Sequence, residues 1–350
     1  MNRTAVLYAL ASAALFGAST PAAKALLGSI EPAVLAGLLY CGAGLGIAIL
    51  RRVASAAFAS DAREQTLGRG DWPWLAGAIA AGGIAGPLLL MAGLSRTDAA
   101  TASLLLTLEG AATAVMAWFI FHESFDRRIA TGMLCLVAGA ALLSWSGAPT
   151  LQRVIGPLAI VGACIAWGLD NNLTRKVSLA DPLQIVMLKG LIAGPFNIAL
   201  GLSAGGLLPQ TLPTIAAGIV GFLGYGVSLA LFVLALRHLG TARTAAYFST
   251  APFLGAIVSV VALGEQVTAQ LFVAGVLMAI GVWLHLTERH EHEHGHESLT
   301  HAHPHVHDEH HRHEHGPQDP PGEPHTHSHR HGGLRHAHPH VPDAHHQHRH

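Results

Sequence analysis

From its first residues to about position 287 the chain alternates long apolar runs with short polar breaks, and beyond that point the pattern inverts. Ten apolar stretches stand out, at about 4–27, 32–50, 72–94, 99–120, 128–147, 155–174, 183–203, 213–236, 241–262 and 267–287. Each has the roughly 18 to 24 residues that cross a hydrocarbon layer of about 30 Å. The breaks are turn-like or charged: Glu31-Pro32, Asp71-Trp72-Pro73, Arg127-Arg128, Asp181-Pro182 and Pro209. Inside a bilayer each stretch must bond its own N–H and C=O groups, so the pattern predicts helices. The run behind Arg3 also fits a signal peptide, but a counterpart in the second half makes it the first of ten spans. The expected fold class is an all-α polytopic membrane protein with ten transmembrane helices and a disordered C-terminal tail.

Composition agrees with the pattern. The chain is 51% hydrophobic and 12% charged, against roughly 25% charged in a soluble domain. A net charge of -1 gives no reason to expect nucleic acid as a partner. Cys41, Cys135 and Cys164 all fall inside apolar stretches without a CxxC pair and read as small buried hydrophobes. If the N-terminus is inside, Arg51, Arg52, Arg127, Arg128, Arg175 and Lys176 share its side. The other side holds Arg96 and Arg153, with Lys24 near the end of the first span. That bias places both termini in the cytoplasm. Trp72, Trp74, Trp118, Trp145 and Trp283 sit near span ends, as interfacial anchors do.

The chain repeats itself. Leu94-Ser95-Arg96-Thr97-Asp98-Ala99-Ala100-Thr101 recurs 142 positions later as Leu236-Arg237-His238-Leu239-Gly240-Thr241-Ala242-Arg243. At the same offset Glu123 matches Glu265 and Gly139 matches Gly281, while Phe16-Gly17 has a counterpart in Trp167-Gly168. Residues 1–147 and 155–287 then form two five-helix repeats joined by a linker at 148–154, ahead of a tail at 288–350. Five spans per unit invert the second repeat in the membrane, an arrangement common among secondary transporters.

The two five-helix halves, the Phe-Gly and Trp-Gly pairs in the first helix of each, and the helices ending in His-Glu or Gly-Glu resemble the EamA-type members of the drug/metabolite transporter superfamily. The resemblance covers about residues 4–287. It implies a ten-helix exporter or exchanger of small metabolites that works without a bound cofactor, and, with the composition, a multi-pass protein of the cell inner membrane. The second half keeps the family-like proline in Ser249-Thr250-Ala251-Pro252-Phe253. The first half departs from it, reading Thr107-Leu108-Glu109-Gly110-Ala111, with a carboxylate among apolar residues.

An ionisable group inside a span costs roughly 2.5 to 3.5 kcal/mol at the helix centre, so each needs a reason. Glu109 is either a carrier of the coupling proton or a structural partner for a polar group on a neighbouring helix. Asp170, Asn171 and Asn172 cluster toward the inner end of the sixth span, and Lys189 lies about one third into the seventh. A short loop joins the two spans, so Asp170 and Lys189 are expected at similar depth. They read as a buried pair, or as a site where Lys189 binds an anionic substrate group with the asparagines donating hydrogen bonds. Glu123, Glu265 and His122 are expected as interfacial caps or topology markers. Pro195, Pro252 and Gly86-Pro87 mark places where helices can open backbone groups to a cavity.

All but His122, His238 and His285 of the 26 histidines fall after residue 287. The candidate metal ligands are His290, His292, His294, His296, His301, His303, His305, His307, His325, His327, His329, His331, His336, His338 and His340. Alternating imidazoles with interspersed Glu and Asp suit Zn, Ni or Co ions, and repeated prolines oppose a regular fold. The expected partners are the lipid bilayer, a small-molecule substrate and transition-metal ions, with a homodimer left open. Two transport readings follow: export of a small organic metabolite beside a metal-binding tail, or transport of a divalent Zn, Ni or Co ion fed by that tail. A third reading, an anchor for a storage tail, needs far fewer spans. Mild acidification should make the tail strongly cationic and draw it to anionic lipid. Tail-dependent activity is therefore expected to change between about pH 5.5 and 7.5, and a flat profile would remove this reading.

Overall fold

The computed structural model describes residues 3–57, 67–121, 127–145, 151–177, 181–239 and 241–287, and four short pieces of the tail. Among the described residues ten helices are long and apolar enough to cross a membrane. They are span 1 (Arg3–Leu26), span 2 (Pro32–Val53), span 3 (Trp72–Leu94), span 4 (Ala99–Phe119) and span 5 (Arg127–Ser144) in the first half. In the second half they are span 6 (Val154–Arg175), span 7 (Pro182–Ser203), span 8 (Thr211–Ala235), span 9 (Arg243–Leu263) and span 10 (Ala269–Leu286). All ten lie within a few residues of the stretches read from hydropathy. The helix that carries span 6 begins at Leu151, inside the stretch read as a linker. Side chains such as Leu134 and Val261 are 69% and 79% exposed on the perimeter, which fits a lipid-facing surface rather than a water-facing one.

Four spans are interrupted, and the interruptions correspond between the halves. Span 3 passes through a π-helical turn at Ile79–Ala85 and span 8 through one at Phe222–Val227. Span 4 divides into Ala99–Leu105 and Leu108–Phe121, and span 9 into Thr241–Phe248 and Ala251–Leu263. Local sequence explains much of this. Pro87 has no N–H to offer the carbonyl four residues back, at Gly83, and Gly82-Gly83 holds a helix weakly. Pro252 does the same in span 9, where Ser249 and Thr250 turn their hydroxyls onto the carbonyls of Ala246 and Tyr247. In span 4 the break has no proline, and Thr107 Oγ1 donates to the Leu104 carbonyl at 2.8 Å. Pro195, by contrast, lies within the unbroken helix Pro182–Ser203.

The helices pack in exchanged pairs. Span 1 contacts spans 8 and 9, while span 6 contacts spans 3 and 4; span 2 packs on span 7 and span 5 on span 10. This pattern is compatible with two inverted repeats about a pseudo-two-fold axis. Lipid offers no hydrophobic driving force between helices, so close approach of small residues must supply the packing. Accordingly, Gly44 meets Gly190 and Gly37 meets Gly194 where span 2 crosses span 7. Gly132 and Gly281 meet where span 5 crosses span 10. Acidic caps match as well: Glu31 Oε2 accepts from the Ala33 and Val34 N–H groups at 3.0 Å, and Asp181 Oδ1 accepts from Leu183 at 2.8 Å. Asp181 also pairs with Arg51, tying span 7 to span 2.

Among the described residues of the tail there are four strands: β1 (Glu291–Gly295), β2 (Thr300–His305), β3 (His325–Arg330) and β4 (Arg335–Pro339). Strand β1 pairs antiparallel with β4, and β2 with β3. A His-x-His sequence has the period of two that a strand requires, which explains why backbone pairing is available to a segment read as unstructured. Of the candidate ligands, His290, His296, His307, His331 and His340 lie outside the described residues, as do His122 and Glu123.

The crossing of span 2 over span 8 offers an asymmetric test. A methyl at Gly42 would lie 2.2 Å from the Gly218 carbonyl oxygen, whereas one at Gly218 meets nothing within 4 Å. Gly42→Ala is expected to lower thermal stability in detergent by about 1–3 kcal/mol, with Gly218→Ala close to wild type. Equal melting of the two variants would contradict this packing.

Candidate substrate site

The polar groups of the interior follow from the interruptions. The π-turn in span 3 leaves the Gly82 carbonyl outside the helix ladder, where it accepts from Tyr40 Oη at 2.6 Å and Trp167 Nε1 at 2.9 Å. The Gly83 carbonyl, orphaned by Pro87, accepts from Asn197 Nδ2 at 2.9 Å. Spans 2, 6 and 7 thus each lend one side chain to the opened turn. None of Tyr40, Trp167 or Asn197 was a candidate from sequence. The usable signal was Gly82-Gly83 before Pro87, which announces freed carbonyls that buried donors must meet.

Beside that turn lies the charged cluster. Lys189 Nζ reaches Asp170 Oδ1 at 2.5 Å and Thr174 Oγ1 at 2.9 Å, and Thr174 itself donates to Asp170 at 2.9 Å. Asp170 is 8% exposed. It fits only because residue 82 is glycine: a Cβ there would sit 1.8 Å from Asp170 Oδ2. The expected pairing of Asp170 with Lys189 is therefore present, with Thr174 as a third member that sequence reasoning missed.

Glu109 starts the second half of span 4, just after the break. Its Oε1 accepts from Asn171 Nδ2 at 3.0 Å, and Asn171 also donates to Thr113 Oγ1 at 3.1 Å. Glu109 is met by an amide rather than by a lysine, and it stays within electrostatic reach of Asp170, Tyr40 and Tyr225. Asn172 behaves differently. It is 4% exposed and donates to the Thr113 and Gly168 carbonyls, which makes it a staple between spans 4 and 6.

A cavity of about 180 Å³ opens against Lys189. Its other walls are Phe16, Tyr40, Tyr225 and Phe248, with Val186 and Ser228. The rings form a continuous ribbon: Phe16 to Tyr225 at 5.8 Å and 88°, Phe16 to Phe248 at 5.3 Å, and Tyr40 to Tyr225 at 5.9 Å. Pockets for drug-sized ligands run to about 300–1,000 Å³, so this one suits a small solute with an apolar body. The charged wall belongs to one repeat alone. Ser19 packs on Gly224 in span 8 as Asp170 packs on Gly82 in span 3, and Ser19 donates to the Phe16 carbonyl at 2.6 Å. Among the described residues no three His, Cys, Asp or Glu side chains gather as a metal site.

Glu265 has a separate place. Its two oxygens accept from the Ala99 and Ala100 N–H groups at 2.7 Å each, capping the start of span 4. The expectation of a cap holds, although the capped helix lies in the other repeat. On the same turn, Lys24 Nζ donates to the Leu94 and Thr97 carbonyls at 2.7 and 2.9 Å.

Ten helices, four of them broken around an apolar cavity with one charged wall, make a multi-pass membrane transporter of small molecules. The chain belongs to the EamA-like transporter family, whose profile matches residues 3–145 and 154–287. An uncharacterized transporter of Methanothermobacter thermautotrophicus is 27% identical over 282 residues, 77% of this chain and 82% of its own length. A probable 4-amino-4-deoxy-L-arabinose-phosphoundecaprenol flippase subunit ArnE of Pseudomonas paraeruginosa is 41% identical over 75 residues, 21% of this chain and 63% of its own. A solved crystal structure shares the fold with a TM-score of 0.58 at 18% identity, covering 81% of this chain and 96% of that one.

Removing one member of a buried ion pair strands the other, at a cost of about 3–5 kcal/mol, while neutralising both is often tolerated. Lys189→Ala should therefore unfold in detergent well below wild type, and the double variant D170N/K189Q should recover most of the loss. Additive losses in the double variant would show that the two groups are not coupled.

Proposed function

We propose that the protein is a secondary transporter that exports a small organic solute carrying an anionic group across the cell inner membrane, with both termini in the cytoplasm. The observation behind this reading is the Lys189–Asp170–Thr174 cluster on the wall of an aromatic cavity. An incoming anion competes with Asp170 for Lys189, while the apolar body of the solute lies against Phe16, Tyr225 and Phe248. The displaced Asp170 keeps the Thr174 hydroxyl as a donor, and the negative charge that the solute adds is offset when Glu109 takes up a proton. Glu109, one hydrogen bond from Asn171 and near Asp170, is the group we assign to the coupling proton.

The tail supports a second role, retention of transition-metal ions at the cytoplasmic face. The rival reading, translocation of Zn, Ni or Co itself, rests on the tail's histidines. It draws no support from the spans, where among the described residues no metal-binding cluster occurs.

The test compares cells lacking the protein with cells overproducing it. Secreted solutes and cellular zinc, nickel and cobalt are both read by mass spectrometry. Export of an anionic solute should rise with overproduction, fall with Lys189→Gln, and survive truncation before Glu288. Glu109→Gln should leave export insensitive to a collapsed proton gradient. A change in metal content that requires the intact spans would overturn the proposal in favour of metal transport.

A further inference from the structure

The two π-turns correspond in sequence as well as in shape, but the protein answers the released carbonyl of only one. In span 3 the Gly86 N–H reaches back five residues to the Ala81 carbonyl and passes over Gly82. In span 8 the Ser228 N–H reaches back five residues to Leu223 and passes over Gly224, 142 positions beyond Gly82. Tyr40 and Trp167 donate to the Gly82 carbonyl. The repeat identifies their counterparts. Glu31-Pro32 and Asp181-Pro182 set spans 2 and 7 at 150 positions, which matches Tyr40 with Gly190. Phe16-Gly17 and Trp167-Gly168 set spans 1 and 6 at 151 positions, which matches Trp167 with Phe16. The contacts of Ser19 with Gly224 and of Asp170 with Gly82 keep that register in space. Neither glycine nor phenylalanine carries a side-chain donor. Asn197 needs no counterpart, because Leu229 stands where span 3 has Pro87 and retains its N–H. Among the described residues no side chain donates to the Gly224 carbonyl, and Ser19, packed against Gly224, turns its hydroxyl to Phe16.

Gly190, Phe16 and Gly224 all line the cavity that holds Lys189. The cavity therefore occupies the place that Tyr40 and Trp167 fill in the other repeat. It exists because a glycine stands where the tyrosine would be. A carbonyl without a donor is costly inside a bilayer, so a ligand that brings a donor is favoured there. We propose that the Gly224 carbonyl is a second polar subsite of the cavity, which accepts from an O–H or N–H group of the solute while Lys189 holds its anionic group. The solute is then a small organic anion that also carries a hydrogen-bond donor, rather than a plain aliphatic or aromatic acid. This rests on the reading of the cavity as the solute site and narrows it. A site built to hydrogen-bond a donor rejects the analogue that lacks it, because the analogue seals the carbonyl from water without a partner.

Calorimetric titration of the full-length protein in detergent micelles provides the test. The probes are propionate, hexanoate and 3-phenylpropionate, each compared with its singly hydroxylated forms. At least one hydroxylated probe should bind about tenfold tighter than its parent acid. Phe16→Trp supplies an N–H from the protein, as Trp167 does for Gly82, and should erase that preference. Phe16→Leu, which has no donor, should weaken both members of a pair alike. The wild-type comparison stands even where a variant fails to fold. Equal affinities within every pair in the wild type would overturn the carbonyl subsite and leave the anion site standing. A preference that persists undiminished in Phe16→Trp would overturn it too, because the carbonyl would not be its source. The double variant D170N/K189Q separates the two readings and should lose binding of both members of each pair. If it binds the acids as wild type does, the assignment of Lys189 to the anion falls, whatever the hydroxyl preference. Binding of none of the probes to the wild type would overturn both.

Discussion

Every carbonyl inside a bilayer must find a donor, and the interior of this protein is organised by the few that its own helices release. Where Pro87 and the π-turn of span 3 free the Gly82 and Gly83 carbonyls, a tyrosine, a tryptophan and an asparagine from three other spans converge on them. An unmet carbonyl in that position would cost several kcal/mol. The polar centre is thus a consequence of backbone chemistry before it is a binding site. Broken helices give the molecule both its cavity and the donors that line the approach to it.

The two halves share their interruptions and their glycine crossings, yet they divide the chemistry unequally. At the position where span 6 presents Asp170 to Gly82, span 1 presents Ser19 to Gly224. Span 7 carries Lys189 to complete the ion pair, and span 2 contributes Tyr40 to the same neighbourhood. The two repeats therefore contribute two rings each to the aromatic wall, and one of them alone contributes the charge.

Sequence alone revealed the spans because lipid imposes one rule on every residue of a helix, and that rule survives in composition. It also revealed the Asp170–Lys189 pair, since two helices joined by a short loop fix the depths of their side chains. Glu109 stood out as costly, but its partner did not, because Asn171 comes from a helix whose rotation no local pattern sets. The donors to Gly82 and Gly83 were hidden for the same reason: Tyr40, Trp167 and Asn197 look like ordinary membrane residues until the helices are brought together. The role of Glu265 was read correctly as a cap, while the capped helix, 165 residues away in the chain, depended on how the two halves meet.

The turn joining spans 3 and 4 is held at both of its ends by charges that it does not itself carry. Lys24, from span 1, grips the outgoing carbonyls, and Glu265, from the connection between spans 9 and 10, grips the incoming N–H groups. Hydrogen bonds to charged groups contribute about 1.5–3 kcal/mol each. Any motion that parts the two repeats at this end must either surrender the Glu265 grip or draw the turn away from Lys24. The corner thus works as a latch with two bolts, and the two halves of the protein hold one bolt each.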